Sequence, residues 1–445
     1  MSRLSWLSFS PASPTWAWTY RTSDEDDFHS AKRQAGPVRI VASLFTVVGA
    51  SEFVVFTTLA YVYGSASMSF FFGTLLGFLS LAWLAPRIRA RAVALDIHSI
   101  PDMARTQRMP LARIGLSLLS VLFTCALVVI QIIIGGLLVQ QLTATGFHVS
   151  ALFLMLAVLA YLFWGGYRAL LYTDVVQAIV LFLFTAGLVA WFLYGAPTPA
   201  QGVGPLTNPG DVPLDLLGLA AGGFFAIFGG PEIWQRVVTC RSDRSARWGL
   251  VAAGVIMLAW GLFIIEGGKF IQGLNPTASP DDAFFVFLAS DLPAWLLGGI
   301  LVALLAAILS TADTELFAAS IISRKQLGKY TDRLKNINGT RLVVFILGAF
   351  ILSVAYLTQD ILTVYFWLVY LTFAIGPIAL ALLFRRGGRS ARLRYAVTTV
   401  ALTAAIIVFA ALWILGKMIS WYPISIAAVA SLPLFFPTQS EEGEA

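Results

Sequence analysis

Oxygen ligands for a hard cation are the first chemistry this chain offers. In LLAAILSTADTEL, Ala307, Ser310, Thr311 and Thr314 recur at spacings of three and four, so a helix gathers them into one narrow stripe. A carbonyl exposed beside Ala307, together with the hydroxyls, could hold a small cation such as Na+. Asp313 flanks the stripe on one side and Glu315 on the other, so the same face could take a second ion or a proton. In VVGASEFVVF, Glu52 follows Gly49, Ala50 and Ser51, small residues at which a helix can open and release backbone carbonyls. In WGGYRALLYTDVVQAIVLF, Thr173, Asp174 and Gln177 share one helical neighbourhood, and Gly165 with Gly166 marks a turn. Each segment also has a plainer reading, since small residues make packing seams and Asp174 could anchor Arg168 or a helix end. Glu232 and Glu266 fall near helix ends, where snorkelling to the interface would account for them. His29, His98 and His148 are dispersed, with no metal cluster, nucleophile triad or cofactor loop around them, so an enzyme is not expected.

These groups belong to a chain whose apolar surface needs lipid. Apolar residues make up 58% of 445 positions, charged residues 12%, and mean hydropathy is +0.83. Stretches of about 20 apolar residues, enough to cross a roughly 30 Å hydrocarbon layer, recur at 38–62, 66–86, 112–142, 147–164, 169–194, 214–230, 248–266, 294–321, 341–358, 361–384, 394–415 and 420–436. The expected fold is all-α and polytopic, with about twelve transmembrane helices. Lysine and arginine test that count. All but Lys269 and Lys417 fall in loops on one side, which predicts an even number of spans and both termini in the cytoplasm of an inner or plasma membrane protein. Basic residues ringing helix ends suit anionic lipid headgroups and argue against a nucleic-acid partner. Cys125 and Cys240 suggest no structural disulfide. Gly222–Gly223 and Gly229–Gly230–Pro231 interrupt the sixth span as Gly49 to Ser51 interrupt the first. Five spans are an odd number of crossings, so a second copy of five enters from the opposite side. Two interrupted helices five spans apart are what an inverted-repeat transporter predicts.

At LLAAILSTADTEL, GGYRALLYTDVVQAIVL, GASEF and QRVVTCRSDRSARWG the chain resembles the sodium/solute symporter family, which includes bacterial sodium/proline and sodium/sugar symporters. The resemblance runs over roughly Tyr20 to Phe384 and implies a five-plus-five inverted-repeat bundle followed by two C-terminal helices. It also implies one sodium ion between the broken first helix and the eighth, on carbonyls near Phe45, Val48 and Ala307 and the hydroxyls of Ser310 and Thr311. A further cation position, used by some members, falls on Asp174, Ser310, Asp313 and Thr314. The first-helix substrate or coupling position falls on Glu52. Asp313 and Glu315 replace the neutral side chains of well-known members, so ion number, and Na+ against H+, stay open at this point. YRTSDEDDFHSAKRQAGP resembles the family's cytoplasmic link, but too little apolar sequence precedes it for the usual first peripheral helix.

The expected organisation is a cytoplasmic segment at 1–36, a first repeat with its external loop at 37–213, a second repeat at 214–384, two peripheral helices at 385–436 and a tail at 437–445. The expected function is sodium-coupled symport of a small organic solute, an amino acid among the candidates, by alternating access. Glu52, Phe53, Phe224 and Glu315 are the candidates for substrate or coupling contacts. Solute, sodium and membrane lipid are the partners expected, with no obligate protein partner. A proton-coupled symporter on the same scaffold and a non-transporting solute sensor are the alternatives.

Overall fold

The computed structural model describes residues 33, 35–49, 51–95, 97–143, 145–194, 212–280, 282–289, 292–328, 331, 334, 336–384, 392–403 and 434. Its named elements are helices, because in lipid each backbone N–H and C=O must find its partner within the chain. The first span holds α1 (Pro37–Gly49) and α2 (Ser51–Tyr63). A short 3-10 turn, Gly64–Ser67, opens on Gly64 at φ 60°, a backbone conformation that glycine adopts without steric cost. It leads into α3 (Met68–Leu95), followed by a short α4 (Ile100–Thr106), α5 (Pro110–Thr143) and α6 (Phe147–Tyr194). The second half comprises α7 (Val212–Gly229), α8 (Pro231–Thr239), α9 (Asp243–Leu274), α10 (Ala283–Leu288), α11 (Ala294–Leu327), α12 (Ile337–Leu357) and α13 (Ile361–Phe384). A further helical stretch covers 392–403. The expected twelfth span, most of the eleventh and the expected N-terminal segment lie outside the described residues.

Contacts along α9 fix the directions of the first two spans. Ile40 packs on Gly249, Phe53 on Trp260, and the Tyr61 hydroxyl donates to the carbonyls of Asn275 (2.8 Å) and Ala278 (2.9 Å), so α1 and α2 both run parallel to α9. In α3 the order reverses: Phe71 covers Gly261, Phe78 covers Gly254 and Arg89 pairs with Asp243. Between α3 and α7 the backbones nearly touch. A Cβ on Gly73 would fall 1.8 Å from the Ala220 carbonyl oxygen, and one on Gly223 would fall 2.1 Å from that of Phe70. Small residues permit this approach, which is how membrane helices gain packing where lipid offers no hydrophobic drive.

α6 has continuous helical backbone for 48 residues, about 72 Å at 1.5 Å per residue, more than twice the hydrocarbon thickness. It cannot be straight. Asp174 meets Ser310 of α11, while Leu154 and Ile308 both close on Gly135 of α5, so twenty residues of α6 advance only about two residues along α11. The ends agree, because Phe163 contacts Arg341 at the start of α12 and His148 contacts Tyr356 near its end. α6 therefore doubles back between Phe163 and Tyr172, around the expected Gly165–Gly166 turn, and makes two crossings. Among the described residues seven helices are long and apolar enough to span a membrane, or eight when the bent pair α7–α8 is one span. Dividing α2 from α3 and α6 into its two legs brings the crossings among the described residues to ten. Apolar side chains on the outer faces, such as Phe153 and Phe182, are open to lipid.

Arginines gather at one end of this bundle. Arg39 bonds to Tyr172, Arg89 to Asp243 and the Cys240 carbonyl, and Arg91 and Gln107 to carbonyls at the end of α13. Lys269, on α9 and paired with exposed Glu266 at 2.8 Å, sits toward the other end. At the basic end buried Asp102 of α4 accepts from Lys325 Nζ (3.0 Å), the His98 N–H (3.1 Å) and Ser99 Oγ (3.2 Å), which clamps α4 to the end of α11. Burial alone would raise its carboxyl pKa, but Lys325, the His98 N–H and Arg105 outweigh burial and hold it below the usual value. A lowered folded-state pKa gives stability that is present above the unfolded aspartate value of about 3.9 and is lost as pH falls through the folded value. Asp102→Asn is expected to cost on the order of 2 kcal/mol at pH 7 and to flatten the acid limb of a stability profile. Thermal unfolding against pH checks this, and an unchanged midpoint at neutral pH would remove the clamp from the account.

Candidate functional site

A helix break lies at Gly230, where α7 and α8 meet at 48° and Pro231 takes the first helical position, at which its missing N–H goes unneeded. Trp234 Nε1 ties across this break to the Phe228 carbonyl at 2.8 Å. The opening expected in the first span falls on a residue outside the described ones. α11 contributes a polar, buried stretch: Ala307, Ser310, Thr311, Asp313, Thr314 and Glu315 are all at most 1% exposed.

Thr311 Oγ1 donates to the Ala307 carbonyl at 3.0 Å and reaches the Thr46 carbonyl of α1 at 3.3 Å. Two carbonyl oxygens and one hydroxyl thus face one another between α1 and α11. Thr46 was not among the residues singled out by sequence, which pointed to its neighbours Phe45 and Val48. Its signal was a lone threonine in the apolar run SLFTVV, three residues after Ser43. Phe45 is buried with its ring edge-on to Trp260 at 5.6 Å, and the Val48 side chain lies outside the described residues.

Ser310 turns to a second cluster. Its hydroxyl and that of Ser43 both donate to Asp174, and Arg236 NH2 lies 4.0 Å from the same carboxylate. Arg236 also donates from Nε to Ser43 Oγ (2.9 Å), from NH2 to the Ser43 carbonyl (3.3 Å) and from NH1 to the Glu232 carbonyl (3.0 Å). All of these side chains are buried, so one charged network joins α1, the second leg of α6, α8 and α11. The ionic partner of Asp174 is Arg236, a residue sequence reasoning had placed in a loop beside the sixth span. Thr314 Oγ1 donates to Asp313 Oδ1 at 3.1 Å.

A third group holds the remaining acidic and aromatic candidates. Glu232 is the second residue of α8, in a first turn whose free N–H groups favour negative charge, and Glu52 lies in α2. Snorkelling, expected for Glu232, does not occur: α8 turns into the protein at the 48° bend, all nine of its residues are buried, and Glu232 is 4% exposed. Glu266 does reach the surface as expected. Phe53 and Phe224 part company. Phe53 lines an apolar cavity with Thr57, Phe263, Phe284 and Phe287, whereas Phe224 stacks with Phe225 and Phe228 and packs toward α3 at Gly77.

The sequence model of the sodium:solute symporter family matches residues 28–385, and the chain belongs to that family. Among curated relatives, the sodium/proline symporter 2 of Staphylococcus saprophyticus is 27% identical over 255 residues, covering 53% of this chain and 50% of the relative. The sodium/proline symporter of Haemophilus influenzae is 26% identical over 216 residues, 42% of each chain. The chain thus spans about half the length of the curated relatives it matches. Among solved structures, a Na+-coupled sialic acid symporter in a substrate-bound outward-open state superposes with a TM-score of 0.72 at 15% identity, covering 94% of this chain and 92% of the other. A nucleobase-cation-symport-1 transporter in a closed conformation gives 0.62 at 15% identity, covering 94% and 98%. These likenesses establish the inverted-repeat helical bundle.

Proposed function

We propose that this chain is a sodium-coupled symporter of a small organic solute, working by alternating access. The observation that carries the reading is the oxygen set of Thr46, Ala307 and Thr311 between α1 and α11, in a member of this family. Its donor chemistry suits Na+, since all three are hard, uncharged oxygens sealed from water. Sodium there would join α1 to α11 and favour one packing of the two repeats over the other. Because coupling is a reciprocal free energy, a solute that tightens sodium binding must itself bind more tightly with sodium. Inward movement of each positive charge contributes about 2.3 kcal/mol per 100 mV.

The basic end faces the cytoplasm in this reading, on the bias of arginine toward that side. The Ser43–Asp174–Arg236 network and the backbone pairing of Ala35 with Cys240 then close the cytoplasmic exit, so inward opening must part α1 from α6 and α8. A second cation at Asp174, Ser310, Asp313 and Thr314 would require Arg236 to withdraw, so one sodium is the stoichiometry we favour. The test is uptake of a labelled solute panel into vesicles holding the full chain, with sodium and pH gradients set independently. Uptake that accumulates only with an inward sodium gradient supports symport; accumulation driven equally well by a proton gradient in sodium-free buffer would refute it.

A further inference from the structure

Several basic side chains at the arginine-rich end of the bundle are neutralised within the protein: Arg89 pairs with Asp243, and Arg105 and Lys325 with Asp102. Arg87 and Arg91, one turn apart on α3, are different. Among the described residues neither comes within ion-pair distance of a carboxylate. Arg91 is half-buried and donates from NH1 to the Leu383 carbonyl at 3.0 Å, at the C-terminal end of α13. Arg87 is exposed, yet its guanidinium does not extend past the helix end toward water. It folds back over the ring of Trp83, one turn earlier, with Cζ 5.1 Å from the centroid. Trp83 is 61% exposed, and its ring lies 6.5 Å from that of Phe384, the exposed last residue of α13.

The face of α3 that carries these groups continues into the bilayer. Leu76 and Leu79, seven and four residues before Trp83, are exposed on the same side of the helix. From Leu76 to Arg87 the helix rises about 16 Å, close to half of a hydrocarbon layer roughly 30 Å thick. An apolar track one leaflet long therefore ends on a tryptophan, a side chain suited to the headgroup level, and then on two positive charges without a counter-ion. A membrane lipid presents matching groups in the same order, acyl chain, then glycerol, then phosphate. A zwitterionic phospholipid brings its own cation to the phosphate, so two uncompensated guanidiniums select an anionic one. Such a lipid would touch both halves of the bundle, because α3 belongs to the first five spans and Phe384 closes the tenth.

We propose that this face of α3 binds an anionic phospholipid of the leaflet at the basic end, its phosphate held by Arg87 and Arg91 and an acyl chain lying along Trp83, Leu79 and Leu76. The test adds dioleoyl phosphatidylglycerol or dioleoyl phosphatidylcholine to delipidated full-length protein and reads retained lipid by native mass spectrometry. Phosphatidylglycerol is expected to bind at least about fivefold more tightly, the effect of about one basic residue at a charged membrane surface. Arg87→Gln, at an exposed position that leaves the fold intact, should remove most of that preference. Trp83→Ala should weaken binding of both lipids about threefold. Arg39→Gln is the comparison for charge alone, since Arg39 belongs to the same end but stacks on Tyr172 of α6, and it should leave the preference within about twofold of wild type. Inorganic phosphate should not displace the lipid. Equal retention of the two lipids overturns the proposal, as does a loss in Arg39→Gln as large as that in Arg87→Gln. Binding that neither Arg87→Gln nor Trp83→Ala alters also overturns it, and displacement by inorganic phosphate would make this a site for a free anion instead.

Discussion

Arg236→Gln is expected to unfold the protein at markedly lower temperature and to abolish uptake. The guanidinium is fully buried, makes hydrogen bonds to Ser43 and the Glu232 carbonyl, and is the cation beside Asp174. Removing it strands a carboxylate in the core, and breaking a buried pair from one side typically costs about 3–5 kcal/mol. If charge compensation is the reason, adding Asp174→Asn should recover most of the loss, because the double variant buries two neutral amides in place of an orphaned charge. Ser43→Ala, which removes the bridging hydroxyl and leaves both charges, should cost only about 1 kcal/mol. Thermal unfolding of the four proteins completes the cycle. An Arg236→Gln variant as stable as wild type, or a double variant no better than the single, would mean that the network does not hold α1 against α6 and α8. Uptake separates stability from gating: the double variant should stay folded yet leak solute, since no ion pair then ties α8 to α6.

Much of this arrangement was legible because the bilayer leaves few options. Apolar runs of spanning length had to be helices, and arginine bias identified the end at which Arg39, Arg89 and Arg91 gather. Glycine and proline at Gly229, Gly230 and Pro231 marked a break that falls there. Spacing on α11 gathered Ser310 and Thr311 on a buried face, but spacing could not say that the two hydroxyls serve different partners. That depends on which neighbours lie beside α11, a tertiary fact with no local signature. Glu232 was misread for a related reason. Its place near a span's end suggested snorkelling, and only the 48° turn of α8 into the bundle makes that position interior. Arg236 was counted among loop arginines on the same grounds, although its side chain is the counter-charge of the core.

The separation of Ser310 from Thr311 yields the sharpest expectation about coupling. Thr311→Ala removes the hydroxyl that lies between the Ala307 and Thr46 carbonyls, and should raise the sodium concentration for half-maximal uptake by at least about tenfold, equivalent to roughly 1.4 kcal/mol. Thr311→Ser keeps the oxygen and should stay close to wild type. Ser310→Ala acts elsewhere, because its hydroxyl donates to Asp174. It should loosen the latch at the basic end and change the rate of uptake more than its sodium dependence. Sodium titrations of uptake, paired with sodium-induced thermal stabilisation of each variant, read the two effects separately. The opposite pattern, with sodium affinity lost in Ser310→Ala and retained in Thr311→Ala, would move the ion to Asp174. Arg236 would then have to leave that carboxylate in every sodium-bound state. The sodium reading therefore depends on two adjacent residues of α11 having opposite kinetic signatures, for a geometric reason: about 100° of helix separates the first-span carbonyls from the arginine-bound carboxylate.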